Sequence, residues 1–567
     1  MVGPYLAQGA TTPTTGALGV ATPQRAGRGL SLSTAASYVA LGTSVSRVTG
    51  LLRIVALAWA LGQTPLADAF NLANITPNML YDIVLGGILS ATFIPVFVHH
   101  LTTRSEEDAF ASISAVLTVS TVVLLAASVL AWLLSPELVA ALTAKDASSH
   151  VHTLATVVAE RRVATTLLRW FVVQIAAYGL FALAGALLNT RRRFIAVAWG
   201  PIVNNVVCIG VLVWFGLWTH NGASLQSVEG HQGQLVLLGL GTSLGVVLQG
   251  VALVPSLLSA RLRLLRWRWD LHDAALRTVL RLSSWTFGFV VANQVAQYVA
   301  VLLAGTASGP DPVSSYTYAY TFLQMPYGVV AVTIMSVVTP DLAQRWSSGD
   351  NDAFTHRVAT GMRAMLALIV PAAVGMLLLA TPAVAVILGH GHSTPAETST
   401  TGAALAMFAL GLPGFCTYLY VIRVLQSMQR TKIAFYLYLV ENGLNVVLAF
   451  ALIHPLGVRG LALSLSIAYS AGALCGLALL RQWFGPLGSP ALWAPLRRVV
   501  TASIAMGLVV LVVSNISGAM HGVALVGRVV GGVVAGGLVF VVVISVLGRR
   551  AASHRSQVRR VAQSGRR

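Results

Sequence analysis

Charge is what this sequence has least of. Lys, Arg, Asp and Glu together are 9% of its 567 residues, against roughly 25% in soluble domains. A soluble chain of this length would divide into several cores, each under a polar skin. The 17 acidic and 36 basic residues are too few to make that skin, which excludes a soluble globular protein, a coiled coil and a disordered chain. Cysteine is scarcer still: Cys208, Cys416 and Cys475 lie in apolar runs without metal-ligand or redox spacing, and read as small buried hydrophobes. Catalytic signatures are also missing. His390 and His392 stand in a G-H-G-H stretch and His150 and His152 in another loop, without a carboxylate framework for zinc. No Walker A or nucleophile-elbow pattern occurs in a fitting setting, so nothing argues for an enzyme.

What the chain does have is apolar length. Hydrophobic residues make up 56%, in runs too long and too poorly alternating for barrel strands. A spanning helix takes about 20 mostly apolar residues. Fourteen such segments follow one another: 36–61, 66–98, 109–134, 166–190, 194–218, 235–260, 280–304, 315–340, 362–388, 402–425, 433–454, 458–482, 499–518 and 523–547. The fold class is therefore an all-α polytopic membrane protein with 14 transmembrane helices. Residues 1–33, rich in Gly, Thr, Ala and Pro, read as a disordered tail and not a signal peptide. The stretch 135–165 is long for a loop and leaves room for a surface helix.

The basic residues test this count. With fourteen spans both termini share one side; that side holds 28 of the 36 Lys and Arg residues, the other side six, and Arg47 and Arg53 fall inside the first span. The bias assigns both termini to the cytoplasm. The basic excess is mostly topogenic and meets anionic membrane lipids. The Arg-rich tail 549–567 fits the same chemistry better than nucleic-acid binding, which is not expected.

An internal repeat organises the spans. Asn205, in the run after the basic turn at 191–193, and Asn445, in the run after Arg430 and Lys432, are 240 residues apart. S-A-T-F-I-P ending at Pro95 and S-V-V-T-P ending at Pro340 are 245 apart. Spans 1–6 thus match spans 7–12. Because six is even, the halves are parallel repeats, an arrangement of transporters whose substrate path runs between lobes. The expected units are a cytoplasmic tail (1–33), a first lobe (34–265), a second lobe (266–485), an accessory pair (486–548) and a basic tail (549–567).

Ionised side chains inside a span cost about 2.5–3.5 kcal/mol each on insertion scales, and are functional candidates by default. The first hairpin carries Arg47, Arg53, Asp68 and Asp82. The two arginines are about 9 Å apart along a helix, and their long stems let both heads reach one wet cavity. Guanidinium pairs suit a bidentate anion such as phosphate. The alternative is neutralisation of Arg47 by Asp82 at similar depth; Arg53 has no acid at its own level, which favours the anion site. Asp68 reads as a helix-terminal or gate residue. Gly50, Pro77, Gly86, Gly87 and Pro95 in this hairpin, and Pro326, Gly328 and Pro340 in the eighth span, are candidate bends between rocking lobes. In span eleven Glu441 and Asn445 share a face beside Asn442, and Asn293 with Gln297 makes a polar face in span seven. These groups could couple transport to Na⁺ or H⁺, or simply hydrogen-bond between helices.

The segment 42–98, with S-R-V-x-G-x-x-R at Ser46, Arg47, Gly50 and Arg53, A-D-A-F at 67–70 and P-N at 77–78, resembles the start of the MurJ (MviN) lipid II flippases of the MOP transporter superfamily. The likeness continues through Y-A-x-x-x-x-Q-x-P-x-G-V at 318–329 and covers about residues 35–548. The resemblance implies that an undecaprenyl-pyrophosphate-linked disaccharide-pentapeptide is turned from cytoplasmic to outer leaflet of the bacterial plasma membrane by alternating access. It implies a substrate site at Ser46, Arg47 and Arg53, a gate at Asp68 and Asn78, a groove near spans 13 and 14 for the polyprenyl tail, and a cation site toward Glu441, Asn445 and Asn293. No other cofactor is implied. The chain departs from the family pattern at Tyr81 and Asp82, where a basic pair is usual, and at Tyr320 and Thr321, where Asp-Arg is usual. Two rival readings are export of another lipid-linked oligosaccharide or a drug, and a non-transporting scaffold that meets cell-wall synthesis proteins.

Overall fold

The computed structural model describes residues 32–62, 64–83, 106–143, 154–191, 193–220, 222–260, 266–307, 312–389, 393–485, 489–517 and 522–564. Among them every regular element is helical, as apolar backbone in lipid requires. The first lobe runs α1 (Leu32–Leu61), α2 (Pro65–Tyr81), α3 (Glu106–Leu133), α4 (Ser135–Leu142), α5 (Leu154–Phe171), α6 (Val173–Thr190), α7 (Phe194–Trp218), α8 (Leu225–Glu229), α9 (Gln232–Val251) and α10 (Val254–Ser259). The second runs α11 (Ala274–Thr306), α12 (Pro312–Pro326), a wide π turn (Tyr327–Ala331), α13 (Val332–Ser347), α14 (Asn351–Leu388), α15 (Pro395–Ser427), α16 (Thr431–Leu456) and α17 (Val458–Phe484). Outside both lie α18 (Ser489–Ser517) and α19 (Gly522–Ser564), packed on each other and on α14.

Thirteen stretches among the described residues are long and apolar enough to cross a membrane. The expected second span, 66–98, is described only to Ile83, so it is not among the thirteen; Gly86, Gly87 and Pro95 lie outside the described residues. So do Arg104, Lys145, His150, His152, His390, His392 and nearly all of the 1–33 tail. The stretch 135–165 holds the short helix α4 and the first two turns or more of α5.

The repeat is visible in who packs on whom. In the first lobe α1 packs on α7, α2 on α5, α5 on α9 and α7 on α9; in the second α11 packs on α16, α12 on α15, α15 on α17 and α16 on α17. These are the same pairings six spans apart. Widened turns recur too, at Asp82–Ile83 and from Tyr327, which keeps the 245-residue offset. Pro326 explains the second: it lacks an N–H and its ring crowds the carbonyl four residues back, so the helix opens. The closest packing, α15 on α17, depends on small residues. A Cβ at Gly414 would stand 2.8 Å from Ser470 Cα, and one at Gly411 would overlap Ser466.

One expectation needs correction, and two segments gain detail. Residues 266–273, assigned to the second lobe, are held on α3 of the first: Ser114 Oγ and Thr118 Oγ1 accept from the Arg266 and Arg268 amides (both 3.1 Å), and Ser112 Oγ donates to Asp273 Oδ2 at 3.1 Å. α19 runs on from its apolar part into the basic tail as one helix to Ser564. Of the cysteines, Cys208 and Cys416 are buried but Cys475 is exposed; on a lipid-facing surface an apolar thiol has no reason to turn inward.

Candidate functional site

Between the lobes lies a cavity of about 730 Å³. Its first wall is α1, with Ser46, Arg47, Gly50 and Arg53, completed by Asn71, Asn74 and Asn78 of α2 and Asn204, Asn205 and Cys208 of α7. The facing wall comes from α11 and α12, with Gln297, Tyr320, Thr321 and Gln324. Such a lining holds water, and it is here that both intramembrane arginines come together.

Arg47 reaches across to the second lobe. A Cβ at position 328 would lie 2.9 Å from its Nε, so the bare backbone of Gly328 makes room for the guanidinium. Arg53 faces Tyr178 and Cys208 within the first lobe. Among the described residues neither arginine forms an ion pair with a carboxylate. Asp82 is engaged elsewhere, with Oδ2 accepting from Gln294 Nε2 at 2.8 Å. The Arg47–Asp82 neutralisation left open by the sequence is therefore not formed. Ser46 contributes its carbonyl, which accepts from Asn205 Nδ2 at 3.1 Å; the same amide donates to Thr49 Oγ1 at 3.0 Å, tying α1 to α7 beside the cavity.

Asp68 is buried, 2% exposed, where α2 meets the start of α12. Its Oδ1 accepts from the Ser314 amide at 2.8 Å, and Asn71 Nδ2 donates to Ser314 Oγ at 3.0 Å. A carboxylate of one lobe thus caps a helix N-terminus of the other, where backbone amides are unsatisfied and the helix dipole favours negative charge. Asn78 is not part of this tie. It lies ten residues on, about 15 Å along a helix, donates to the Asn74 carbonyl at 2.8 Å, and lines the cavity.

The polar groups of spans seven and eleven divide. Gln297 lines the central cavity, whereas Asn293 and Gln294 line a second hollow of about 330 Å³ with Asp82. Tyr320 and Gln324 stand in the walls of both. Glu441 lies behind this smaller hollow, 1% exposed, and among the described residues neither carboxylate oxygen has a hydrogen-bond partner. Its electrostatic neighbours are Tyr320, Tyr418, Tyr438 and Tyr469. Asn445 is turned to another task, its Oδ1 accepting from Ser464 Oγ at 3.0 Å. Glu441, Asn445 and Asn293 therefore do not share a hydrogen-bonded cluster. Among the described residues no three His, Cys, Asp or Glu side chains converge. A third hollow, about 410 Å³ and almost wholly apolar, runs between α14, α18 and α19, with Met376, Leu379, Val510, Val533 and Phe540 in its walls.

Sequence reasoning missed Asn71, Tyr178, Gln294 and the fit of Gly328 to Arg47. Each matters through a partner far along the chain, and no local spacing announces it.

Comparison with known proteins adds the following. The sequence profile of the family described as "Lipid II flippase MurJ" matches residues 57–530. A "Probable lipid II flippase MurJ" of Rhizobium meliloti is 27% identical over 467 residues, covering 81% of this chain and 82% of the relative. One of Vibrio cholerae is 26% identical over 450 residues, covering 77% and 80%. Among solved structures, "Lipid II flippase MurJ, inward closed conformation" superposes with a TM-score of 0.71 at 21% identity, covering 91% of this chain and 99% of that one. A MATE transporter superposes with 0.57 at 13% identity, covering 80% and 96%.

Proposed function

The chain belongs to the lipid II flippase MurJ family, and from that premise we propose how its residues carry a lipid-linked peptidoglycan precursor across the bilayer. It is a multi-pass membrane transporter and not an enzyme. The observation that carries the mechanism is the pair Arg47 and Arg53 in one polar cavity, without an ion-paired carboxylate among the described residues. A cation in that position is stabilised by water until a ligand of opposite charge replaces the water. The pyrophosphate of the undecaprenyl-linked substrate supplies that charge, and each guanidinium offers it two parallel N–H donors. Charge-assisted hydrogen bonds contribute about 1.5–3 kcal/mol each, enough to draw a hydrated headgroup off the membrane surface. The disaccharide-peptide then meets the Asn and Gln amides of the walls, and the polyprenyl tail stays in lipid, along the apolar groove of α14, α18 and α19.

The direction is cytoplasm to outer leaflet in the bacterial plasma membrane, with both termini cytoplasmic. The Asp68–Ser314 tie is the outer gate: while it holds, the lobes are latched at that end. Reopening requires an input, which we assign to Glu441. A carboxylate with two buried, unpartnered oxygens is costly to leave ionised, so taking up Na⁺ or H⁺ there relieves strain in one state of the cycle. Anionic lipids at the basic cytoplasmic face and cell-wall synthesis proteins are the partners this role calls for.

The test is depletion of the protein with leaflet-resolved labelling of lipid II. Accumulation on the cytoplasmic face, rescued by the wild type, supports the flippase; a normal leaflet distribution with misplaced synthases supports a scaffold instead.

A further inference from the structure

The smaller hollow beside the arginine cavity differs from it in the sign of its charge. Its charge comes from Asp82, whose Oδ2 is held by Gln294 and whose Oδ1 has no hydrogen-bond partner among the described residues. Aromatic rings make up about half of its other walls, with the amides of Asn293, Gln294 and Gln324 among them. Phe289 stacks on Tyr438 at 4.7 Å between ring centres, Tyr327 meets Phe415 edge-on at 4.9 Å, and Phe415 meets Tyr469 edge-on at 4.7 Å. Arg423 and Arg47 both act on the wall tyrosine Tyr327 without standing in the wall themselves, and the Arg423 guanidinium donates to Gln426 Oε1 at 3.1 Å. A carboxylate beside aromatic walls in about 330 Å³ leaves room for a cation larger than a bare metal ion. It suits an organic ammonium, whose charge spreads over N–H and C–H groups that ring faces attract.

We propose that this hollow is an ammonium-binding subsite, and that it recognises a primary amine on the peptide part of the substrate headgroup while Arg47 and Arg53 hold its phosphates. The two hollows abut at Tyr320 and Gln324, which places the subsite next to the arginine cavity. Peptides built with a diamino acid carry such an amine, and acylated ones do not. The subsite makes this transporter selective for the free-amine form. The inference deepens the flippase reading and rests on it for the identity of the ligand, but the subsite itself is separately testable.

The purified full-length protein, reconstituted in vesicles, is given a lipid-linked disaccharide-pentapeptide with a free side-chain amine or the same lipid N-acetylated at that amine. The wild type moves the free-amine lipid about tenfold faster. Asp82→Asn keeps the contact with Gln294 but lowers that preference to about twofold or less, and Asp82→Glu restores most of it. Equal rates for both lipids in the wild type, or equal slowing of both by Asp82→Asn, overturn the proposal. Binding is read independently by thermal unfolding with n-butylammonium chloride against sodium chloride. Stabilisation by the organic cation alone, lost in Asp82→Asn, supports the subsite even if neither lipid is transported, a result that would sink the flippase reading alone. Equal stabilisation by both salts overturns the subsite.

Discussion

Arg53 and Glu441 are both single charges within the bilayer, and the protein treats them in opposite ways. Arg53 lines a broad polar cavity between the lobes and meets Tyr178 and Cys208 there. Glu441 sits inside the second lobe, sealed by tyrosines, with neither oxygen bonded among the described residues. The first arrangement keeps a charge hydrated and ready for a large polar ligand; the second keeps it dry and ready only for something as small as a bare cation. On the proposed reading, solvent access separates a substrate site from a coupling site, though residue type alone would mark both as intramembrane charges.

The largest way to break this contrast is Arg53→Ala. Losing a bidentate phosphate contact costs about 3 kcal/mol, so transport falls roughly a hundredfold and growth is not complemented, while the protein still inserts; Arg53→Lys retains a partial rate. Full growth with Arg53→Ala would remove the site assignment. Glu441→Gln comes next. Transport loses its dependence on Na⁺ or pH, and, because a buried unpartnered charge is gone, the thermal midpoint rises by a few degrees. Unchanged cation dependence would end the coupling assignment. Asp68→Ala leaves the Ser314 amide without its acceptor and unlatches the lobes, at a cost of about 1–3 kcal/mol. Cavity residues should then label roughly tenfold faster from the outer side, whereas Asp68→Asn keeps an acceptor and changes the rate about twofold. The smallest effect is expected from Gly328→Ala. The new methyl meets only the movable end of Arg47, so transport slows a few-fold with insertion unchanged.

Much of this was legible in the chain because lipid leaves few options. Thirteen of the spans follow from apolar length, and the repeat from offsets of 240 and 245 residues, later matched by helix pairings in each lobe. That Arg47 and Arg53 face a shared hollow was also within reach, since long stems bring heads about 120° apart around a helix into one space. What the sequence hid is what depends on long-range partners. Asp82 looked like a mate for Arg47 by depth, yet Gln294, 212 residues away, takes it. Asn293 and Gln297 lie on one helical face, yet Tyr320 and Gln324 divide the space in front of them into two hollows. Asn445 shares a face with Glu441 but bonds Ser464 on the next helix. Helical periodicity ranks neighbours on one helix; it is silent about which facing helix claims them.

The most direct test of the contrast is thiol accessibility. In a background with Cys208, Cys416 and Cys475 replaced, single cysteines are placed by Arg53→Cys and Glu441→Cys and treated with a membrane-impermeant, charged thiol reagent in inverted vesicles. The account predicts rapid modification at position 53, slowed by lipid II, and none at 441 over the same time. An unreactive position 53, or equal reactivity at the two, would contradict it.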